Sequence, residues 1–254
     1  MLDFICETAL MAGALAKAGR ERLTAALIHV KDTPTDMVTD IDREVERFII
    51  DRVRAKFPDH GFIGEETGRS GAEKEFCWII DPIDGTTSFI HDFPFWAVSV
   101  ALYRRGEPYA GAVFAPALGE LFAAEKGRGA TLNGRPIRVS DCGDIGSSLL
   151  GTGFACVRAQ VKPDNFDYIR PIAYAAQGFR RCGSASLGLC YTAVGRFEAY
   201  WEVLLNIYDI AAGALIVTEA GGRVSDLAGG GAYPEKGILA SNGALHDVLL
   251  GYFA

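Results

Sequence analysis

The 254 residues of this chain are enough for one large domain or for two halves that share a cleft. Hydrophobic residues make up 49% and charged residues 22%, a balance that excludes a disordered or fibrous protein. The net charge of -7 argues against nucleic acid as a partner, and a small anionic substrate would need help from a cation.

The first segment and the cysteines indicate a cytoplasmic protein. Asp3 and Glu7 interrupt the first apolar stretch, which has no basic start, so no secretory signal is expected. The longest strongly apolar segment, Phe95–Tyr103, is far shorter than the roughly 20 residues that a membrane-spanning helix needs. The six cysteines include no C-x-x-C pair, and the four histidines lie away from any nucleophile motif. A zinc site or a serine or cysteine hydrolase is therefore not expected.

Two helices come first among the predicted elements. Leu2–His29 has Ala and Leu at helical spacing, and Thr39 with Asp42 forms a capping box before a second helix that ends near Lys56. Short apolar runs between Gly, Pro and charged turns then predict a sheet with hairpins. These runs are Gly61–Ile63, Phe76–Ile80, Trp96–Tyr103, Tyr109–Ala115 and Leu121–Glu125. The first half is predicted to be α+β.

After about Ser140 the pattern changes to alternating strands and helices, which predicts a layered α/β half. The predicted strands are Ser148–Thr152, Gln177–Arg181 and Phe197–Trp201, and the predicted helices begin at Asn165, Ser184 and Tyr208. The polar segment Ser140–Gly146 contains glycine and suggests a junction there. We therefore expect two closely packed subdomains, residues 1–140 and residues 141–254.

The strongest local feature is a buried apolar strand that is predicted to end in Asp81 and Asp84. Between them, Pro82 restricts the backbone, and after them Gly85 tolerates the dihedral angles of a tight bend, which together predict a preset loop. Alone, Pro-x-Asp-Gly is an ordinary β-turn signal. The next residues, including Thr86, are predicted to open a short helix whose free N–H groups favour a phosphate.

Two further carboxylates lie at the ends of predicted elements. Glu65 follows a short apolar strand, and adjacent strands would bring it beside Asp81. Asp209 lies in the first turn of a helix rich in small residues. Each alone is ordinary, as a solvated strand end or as a complement to the helix dipole. Together with the Ile83 carbonyl, the four carboxylates form an all-oxygen set that suits Mg²⁺ or Mn²⁺ better than zinc.

In this order, the motifs resemble those of the inositol monophosphatase family over nearly the whole chain. The matching stretches are Gly64-Glu65-Glu66, Trp78-Ile79-Ile80-Asp81-Pro82-Ile83-Asp84-Gly85-Thr86, Tyr208-Asp209-Ile210-Ala211-Ala212-Gly213 and Glu219-Ala220-Gly221-Gly222. The resemblance implies a layered α-β-α-β-α sandwich of the sugar-phosphatase type with mixed sheets. It also implies lithium-sensitive hydrolysis of a small phosphorylated polyol, most simply inositol 1-phosphate, by a metal-activated water. The resemblance further implies two or three Mg²⁺ ions, which Mn²⁺ can replace, and a homodimer.

The resemblance also implies roles for matching residues. One ion is held by Glu65, Asp81 and the Ile83 carbonyl, and a second by Asp81, Asp84 and Asp209. Glu65 and Thr86 orient the attacking water, and the backbone N–H groups of Gly85 and Thr86 hold the phosphate. By the same resemblance, the catalytic residues are Glu65, Thr86 and Asp84.

Further matches concern the substrate and the support of the metal ligands. The wall that meets the substrate's hydroxyl groups is formed by Gly183, Ser184, Ala185 and Glu202, although Glu202 can equally be read as an exposed strand end. Lys31 and Asp42 match positions that support the ligands from behind. A surface lysine and a helix cap are equally ordinary readings of those two residues.

Three residues depart from the family pattern, and none of them is a metal ligand. Ser88 replaces the usual Asn, Tyr208 the usual Trp, and Gly188 an Asp or Asn. Ser88 puts in doubt how the loop after Asp84 is braced, and Tyr208 changes the packing behind Asp209. Gly188 puts in doubt the substrate specificity or the subunit contacts.

Several functions stay open at this point. Histidinol phosphate, fructose 1,6-bisphosphate and 3'-phosphoadenosine 5'-phosphate are alternative substrates, although Thr87 argues against the nucleotide branch, which tends to carry Lys-Glu there. An alternative of another class is a regulatory, protein-binding subunit on the same fold. The presence of all four carboxylates favours catalysis.

Overall fold

The first two helices, α1 (Leu2–Glu21) and α2 (Asp40–Lys56), pack side by side in this computed structural model, which describes residues 1–30 and 37–253. The remaining helices of those ranges are α3 (Thr86–Ile90), α4 (Ala155–Arg158), α5 (Asn165–Ala175), α6 (Ala185–Ala193), α7 (Ile207–Glu219) and α8 (His246–Leu250). The first strands are β1 (Ile28–Val30), β2 (Met37–Thr39), β3 (Gly61–Gly64), β4 (Gly68–Ser70), β5 (Phe76–Asp84), β6 (Ala97–Arg104), β7 (Glu107–Ala115) and β8 (Glu120–Glu125). The others are β9 (Ala130–Leu132), β10 (Arg135–Ile137), β11 (Leu149–Thr152), β12 (Gly178–Arg180), β13 (Ala199–Glu202), β14 (Arg223–Ser225) and β15 (Ile238–Ser241).

Two mixed sheets organise the described part of the chain. The larger has the strand order β10-β9-β8-β7-β6-β5-β3-β4 and is antiparallel except for the parallel pair β3 and β5. The smaller has the order β12-β11-β13-β15-β14, in which β11 runs parallel to both of its neighbours. A separate short hairpin pairs β1 with β2.

Helices and sheets alternate in five layers. Helices α1 and α2 cover one face of the larger sheet, where Ile5 and Val45 of the helices share a buried cluster with Trp78 of β5. Helices α6 and α7 fill the space between the two sheets, where Leu189 and Ile216 are buried. Helices α5 and α8 pack outside the smaller sheet, in a cluster of Leu150, Ile172, Trp201, Leu239, Leu245 and Leu249. The predicted α-β-α-β-α sandwich is therefore confirmed.

Local signals located most elements, and one prediction about the first helix was wrong. The capping box is present: Thr39 Oγ1 accepts from the Asp42 N–H at 3.3 Å, and Asp42 Oδ2 accepts from the Thr39 N–H at 2.8 Å. The helix predicted over Leu2–His29 ends at Glu21; a 3₁₀ turn follows at Ala25–Leu27, and then β1, whose β-branched Ile28 and Val30 favour a strand, pairs with β2. Strands β1, β2, β4, β9, β10, β14 and β15 were not predicted; each has only three or four residues.

The two sheets follow one another along the sequence. Strands β3–β10 lie within residues 61–137, and strands β11–β15 lie within residues 149–241. Helices α6 and α7, from the second part of the chain, pack against strands of the first. The division into subdomains 1–140 and 141–254 stays a prediction.

Candidate active site

Glu65 and Asp81 lie side by side because β3 and β5 are parallel neighbours. Gly64 pairs with Ile80 in the register of these strands, and the Glu65 N–H donates to the Ile80 carbonyl at 3.2 Å. The carboxyl ends of parallel strands meet at one edge of a sheet, so the next residue of each strand emerges at the same place. The expectation that adjacent strands bring these two carboxylates together is confirmed.

A bulge at the end of β5 turns Asp81 and Asp84 to the same face of the larger sheet. Strand alternation directs Trp78 and Ile80 toward α1 and α2, and it directs Ile79 and Asp81 toward α6 and α7. The pairing with β6 shifts register between Asp81 and Asp84. After that shift the even-numbered Asp84 also faces α6. The strand ends at Asp84, so the prediction that it ends in the two aspartates is confirmed.

The loop after the bulge is held tightly by its neighbours. Gly85 has φ +96°, and a Cβ there would lie 2.9 Å from the Phe95 carbonyl oxygen and 3.0 Å from that of Gly183. The Asp81 carboxylate accepts from the Ile83 N–H at 3.1 Å. Only glycine fits this position without strain, so the preset loop that the sequence predicted is present.

Helix α7 brings the third aspartate to the cluster. Asp209 lies in its first turn, and its Oδ2 accepts from the Asn206 N–H at 2.6 Å. One carboxylate oxygen each of Asp81, Asp84 and Asp209 lies within 4.8 Å of the others. The packing of α7 on the larger sheet thus joins residues that are distant in the chain.

Burial and mutual repulsion make this cluster reluctant to carry negative charge. Burial raises the pKa of Asp81 well above its usual range, and the charges of Glu65 and Asp84 raise it further. Burial likewise raises the pKa of Asp209, with Asp84 adding to the effect. A divalent cation bound by these oxygens would reverse both effects, so the donor set fits a hard cation.

Asp84 is braced by the start of helix α6. Its Oδ2 accepts from Ser184 Oγ at 2.6 Å, from the Ser186 N–H at 2.7 Å and from Ser186 Oγ. Among residues 1–30 and 37–253, the one hydrogen bond to its Oδ1 comes from the Ala185 N–H, at 3.3 Å. These donors lower the pKa of Asp84, but its burial outweighs them and leaves the pKa raised. One oxygen of Asp84 is therefore fixed, and the other is available to a ligand.

Asp42 both caps helix α2 and contacts a residue of the Asp81–Thr86 loop, the two roles that were open from the sequence. Its carboxylate closes the capping box of α2, and its Oδ1 also lies 3.3 Å from the Thr86 hydroxyl. That hydroxyl lies 3.1 Å from the Ile83 carbonyl oxygen. Asp42 is therefore linked through Thr86 to the metal loop, residues Asp81–Thr86. Lys31 lies outside the described residues.

A cleft of about 780 Å³ opens over these groups. The predicted wall residues line it together with the carboxylates: Gly183, Ser184, Ala185 and Glu202. Glu202 is 5% exposed, so its reading as an exposed strand end was wrong. Its carboxylate accepts from the Ala155 N–H at 2.9 Å and from the Tyr200 hydroxyl. Those bonds fix the side chain in the wall of the cleft.

The three departures have local structural consequences. Ser88 is buried beneath Gly183, where an added Cβ would lie 2.9 Å from its Oγ. Tyr208 lines the cleft, and burial raises the pKa of its hydroxyl, as do Glu65 and Asp209. A Cβ on Gly188 would lie 2.3 Å from the Tyr200 ring. Tyr200 therefore occupies the space of the missing side chain and supplies a hydroxyl in its place.

Three residues close to the site were missed from the sequence. Ser186 braces Asp84, Tyr200 braces Glu202, and Glu46 accepts hydrogen bonds from the turn that follows Glu65. Glu46 carried a usable signal, since it is a charged residue within the apolar stripe of an amphipathic helix. Tyr200 lies two residues before Glu202 on β13, so strand alternation places both on one face. Ser186 carried no signal, because its role depends on a contact between α6 and β5.

The fold and this cleft define a class of metal-dependent sugar phosphatases. The family model described as the inositol monophosphatase family matches residues 1–254. The chain belongs to that family and is a phosphoric monoester hydrolase. Within the described residues, no helix has both the length and the apolar character needed to cross a bilayer.

Relatives and solved structures agree with this assignment. The chain is 43% identical to the Nus factor SuhB of Pseudomonas aeruginosa, over 98% of this chain and 94% of the relative. It is 42% identical to the inositol-1-monophosphatase of Synechocystis sp., with coverages of 87% and 78%. The IMPase of Thermotoga maritima superposes with a TM-score of 0.91 at 36% identity, with coverages of 99% and 96%. The inositol monophosphatase of Anabaena (Nostoc) sp. gives a TM-score of 0.89, also at 36% identity, with coverages of 99% and 94%.

Proposed function

We propose that this protein hydrolyses inositol 1-phosphate, or a closely related small phosphorylated polyol, in a reaction that needs Mg²⁺. The observation that carries the proposal is the convergence of Asp81, Asp84 and Asp209 within 4.8 Å at the floor of the cleft, with Glu65 beside them. An acidic cleft repels a phosphate ester unless cations neutralise it. The carboxylates and the substrate therefore require the same ions.

The proposed ligand sets follow the arrangement of the loop. Glu65, Asp81 and the Ile83 carbonyl hold one ion, and Asp81, Asp84 and Asp209 hold a second. Two or three ions are expected in all, and Mn²⁺ should replace Mg²⁺, because the ligands are all oxygen. When bound, such ions neutralise the phosphate and lower the pKa of a water molecule.

Residues of the chain itself orient the reactants in this proposal. Glu65 and the Thr86 hydroxyl position the attacking water, and the contact of Thr86 with Asp42 supports that role. The Gly85 and Thr86 N–H groups face the phosphate. The first N–H groups of a helix have no partner within the helix, so they can donate hydrogen bonds to an anion. Lys31 keeps the supporting role that the resemblance implied, and it lies outside the described residues.

The wall residues are proposed to choose the alcohol part of the substrate. They are Gly183, Ser184, Ala185 and Glu202. The Glu202 carboxylate is held in the wall at both oxygens, by the Ala155 N–H and by the Tyr200 hydroxyl. A rigid acceptor favours a polyol, because hydroxyl groups donate to it without bringing further negative charge.

A phosphate-release panel tests the substrate. It contains inositol 1-phosphate, histidinol phosphate, fructose 1,6-bisphosphate and 3'-phosphoadenosine 5'-phosphate, each with Mg²⁺ and with EDTA. We expect inositol 1-phosphate to have the highest kcat/KM, by about tenfold or more, and EDTA to abolish release. Preference for another ester would reassign the substrate, and release that persists in EDTA would refute the metal requirement.

A second candidate is a regulatory role in which the protein binds another protein. The observation that favours it is the name Nus factor SuhB, carried by relatives in Pseudomonas aeruginosa and Escherichia coli at 43% and 39% identity. A variant with a substituted metal ligand separates the two functions. Partner binding that survives loss of phosphate release would establish the second role, and partner binding that is absent from the wild-type protein would remove it.

Three further properties are proposed from family membership and composition. A homodimer predicts a sedimentation mass of twice the chain mass. Lithium sensitivity predicts that Li⁺ lowers phosphate release at fixed Mg²⁺. A cytoplasmic location accords with six free cysteines in the described part of the chain, since oxidising compartments favour disulfides; fractionation of cells checks it.

A further inference from the structure

Glu46 is a buried carboxylate outside the aspartate cluster. It lies on α2 with 0% exposure. Its Oε2 accepts from the Glu66 N–H at 2.9 Å, and its Oε1 accepts from the Thr67 N–H at 2.8 Å. A buried carboxylate is costly unless hydrogen bonds satisfy it, so these two bonds fix the turn that begins at Glu65.

Gly64 provides the space for this contact. A Cβ at position 64 would lie 2.7 Å from the carboxylate carbon of Glu46 and 2.7 Å from each of its oxygens. That distance is too short for any other residue unless the Glu46 side chain moves. The close approach of β3 to α2 therefore depends on glycine at one position and on glutamate at the other.

The turn at Glu65 is thus held from two sides. Strand β5 holds it through the bond from the Glu65 N–H to the Ile80 carbonyl, and α2 holds the next two residues through Glu46. One helical turn earlier, Asp42 contacts Thr86 of the metal loop. The same face of α2 therefore supports both halves of the site, Glu65 and the Asp81–Thr86 loop.

We propose that Glu46 is a positioning residue that sets the Glu65 carboxylate against Asp81 and so raises the affinity of the site for divalent cations. The inference rests on the proposed role of Glu65 as a metal ligand. Groups that orient metal ligands typically change metal affinity by about 10–100-fold when they are removed. Glu46 acts through the backbone of the turn and does not touch the substrate.

The test is a titration with Mn²⁺, followed through the electron paramagnetic resonance signal of the free ion. Glu46→Gln keeps the volume but turns an NH₂ group toward a backbone N–H, so one of the two bonds is lost. We expect its Mn²⁺ dissociation constant to rise about tenfold. Its KM for inositol 1-phosphate at saturating metal should change less than about twofold. The matched control is Glu44→Gln on the same helix, which removes a surface pair with Arg22 and should bind Mn²⁺ as the wild type does.

Two further variants keep the inference testable if Glu46→Gln folds poorly, as circular dichroism would reveal. Gly64→Ala should weaken Mn²⁺ binding by displacing the Glu46 carboxylate. It should add nothing in the Glu46→Ala background, where that carboxylate is gone. Wild-type affinity in Glu46→Gln, or full additivity in the double variant, overturns the inference. The metal role of Glu65 itself is checked separately. It is overturned if the wild-type protein does not bind Mn²⁺, or if Glu65→Gln binds Mn²⁺ as tightly as the wild type does.

Discussion

Asp84→Asn separates the stability of the site from its chemistry. The amide has nearly the same volume as the carboxylate, and its oxygen can still accept from Ser184 and Ser186, which all donate to one side of Asp84. The NH₂ group then takes the place of Oδ1, where it loses the 3.3 Å bond from the Ala185 N–H and faces the carboxylates of Asp81 and Asp209. Without metal, that contact replaces a repulsion between like charges with a hydrogen bond.

The size of the effect follows from the distances. Two full charges at 4.8 Å, the outer limit for these three aspartates, repel by about 3.5 kcal/mol at an effective dielectric constant of about 20. The raised pKa values of Asp81 and Asp209 mean that bound protons already relieve part of this repulsion. We therefore expect a gain of about 1–2 kcal/mol in the metal-free protein, or about 2–8 °C in Tm.

Thermal unfolding in EDTA and in Mg²⁺, together with phosphate release, measures both sides of the prediction. In EDTA the Tm of Asp84→Asn should exceed that of the wild type, Mg²⁺ should raise it much less, and turnover should fall by about 1000-fold. The surface control Asp247→Asn, whose side chain is 82% exposed, should leave Tm within about 1 °C. A lower Tm in EDTA would contradict the repulsion argument, and retained turnover would contradict the assigned role of Asp84.

Four other outcomes can be measured by urea denaturation. Gly188→Ala should lower the free energy of unfolding by about 1–3 kcal/mol, because its Cβ would lie 2.3 Å from the Tyr200 ring. Thr39→Ala should cost about 1 kcal/mol by removing the cap of α2, and Thr39→Ser should restore it. Burial lowers the pKa of His246 to about 4, so the stability present above pH 6.5 should be lost as the pH falls toward 4, and His246→Gln should flatten that loss. The raised pKa of Asp81 acts in the opposite direction: in EDTA, the stability present below about pH 4 should be lost as the pH rises, and Mg²⁺ should remove the loss.

Much of the site could be located from short stretches of sequence. The turn around Pro82 and Gly85, the cap at Thr39 and the place of Asp209 in a first helical turn all depend on a few neighbouring residues. Longer-range features could not be located in this way. The Glu202 carboxylate contacts the Ala155 N–H, 47 residues away in the chain, which a strand-end pattern does not reveal. Strand β1, which lies within the segment predicted as the first helix, pairs with β2 later in the chain.

Residue types and near neighbours are enough to predict which side chains could carry the chemistry and where most helices and strands begin. That the carboxylates meet follows from contacts between distant segments of the fold. The parallel pairing of β3 with β5 sets Glu65 beside Asp81, and the bulge turns Asp84 to the same face. The packing of α7 on the larger sheet then adds Asp209. Each of these contacts joins segments far apart in the chain, so it follows from the burial of apolar surface across the whole fold and not from any local pattern.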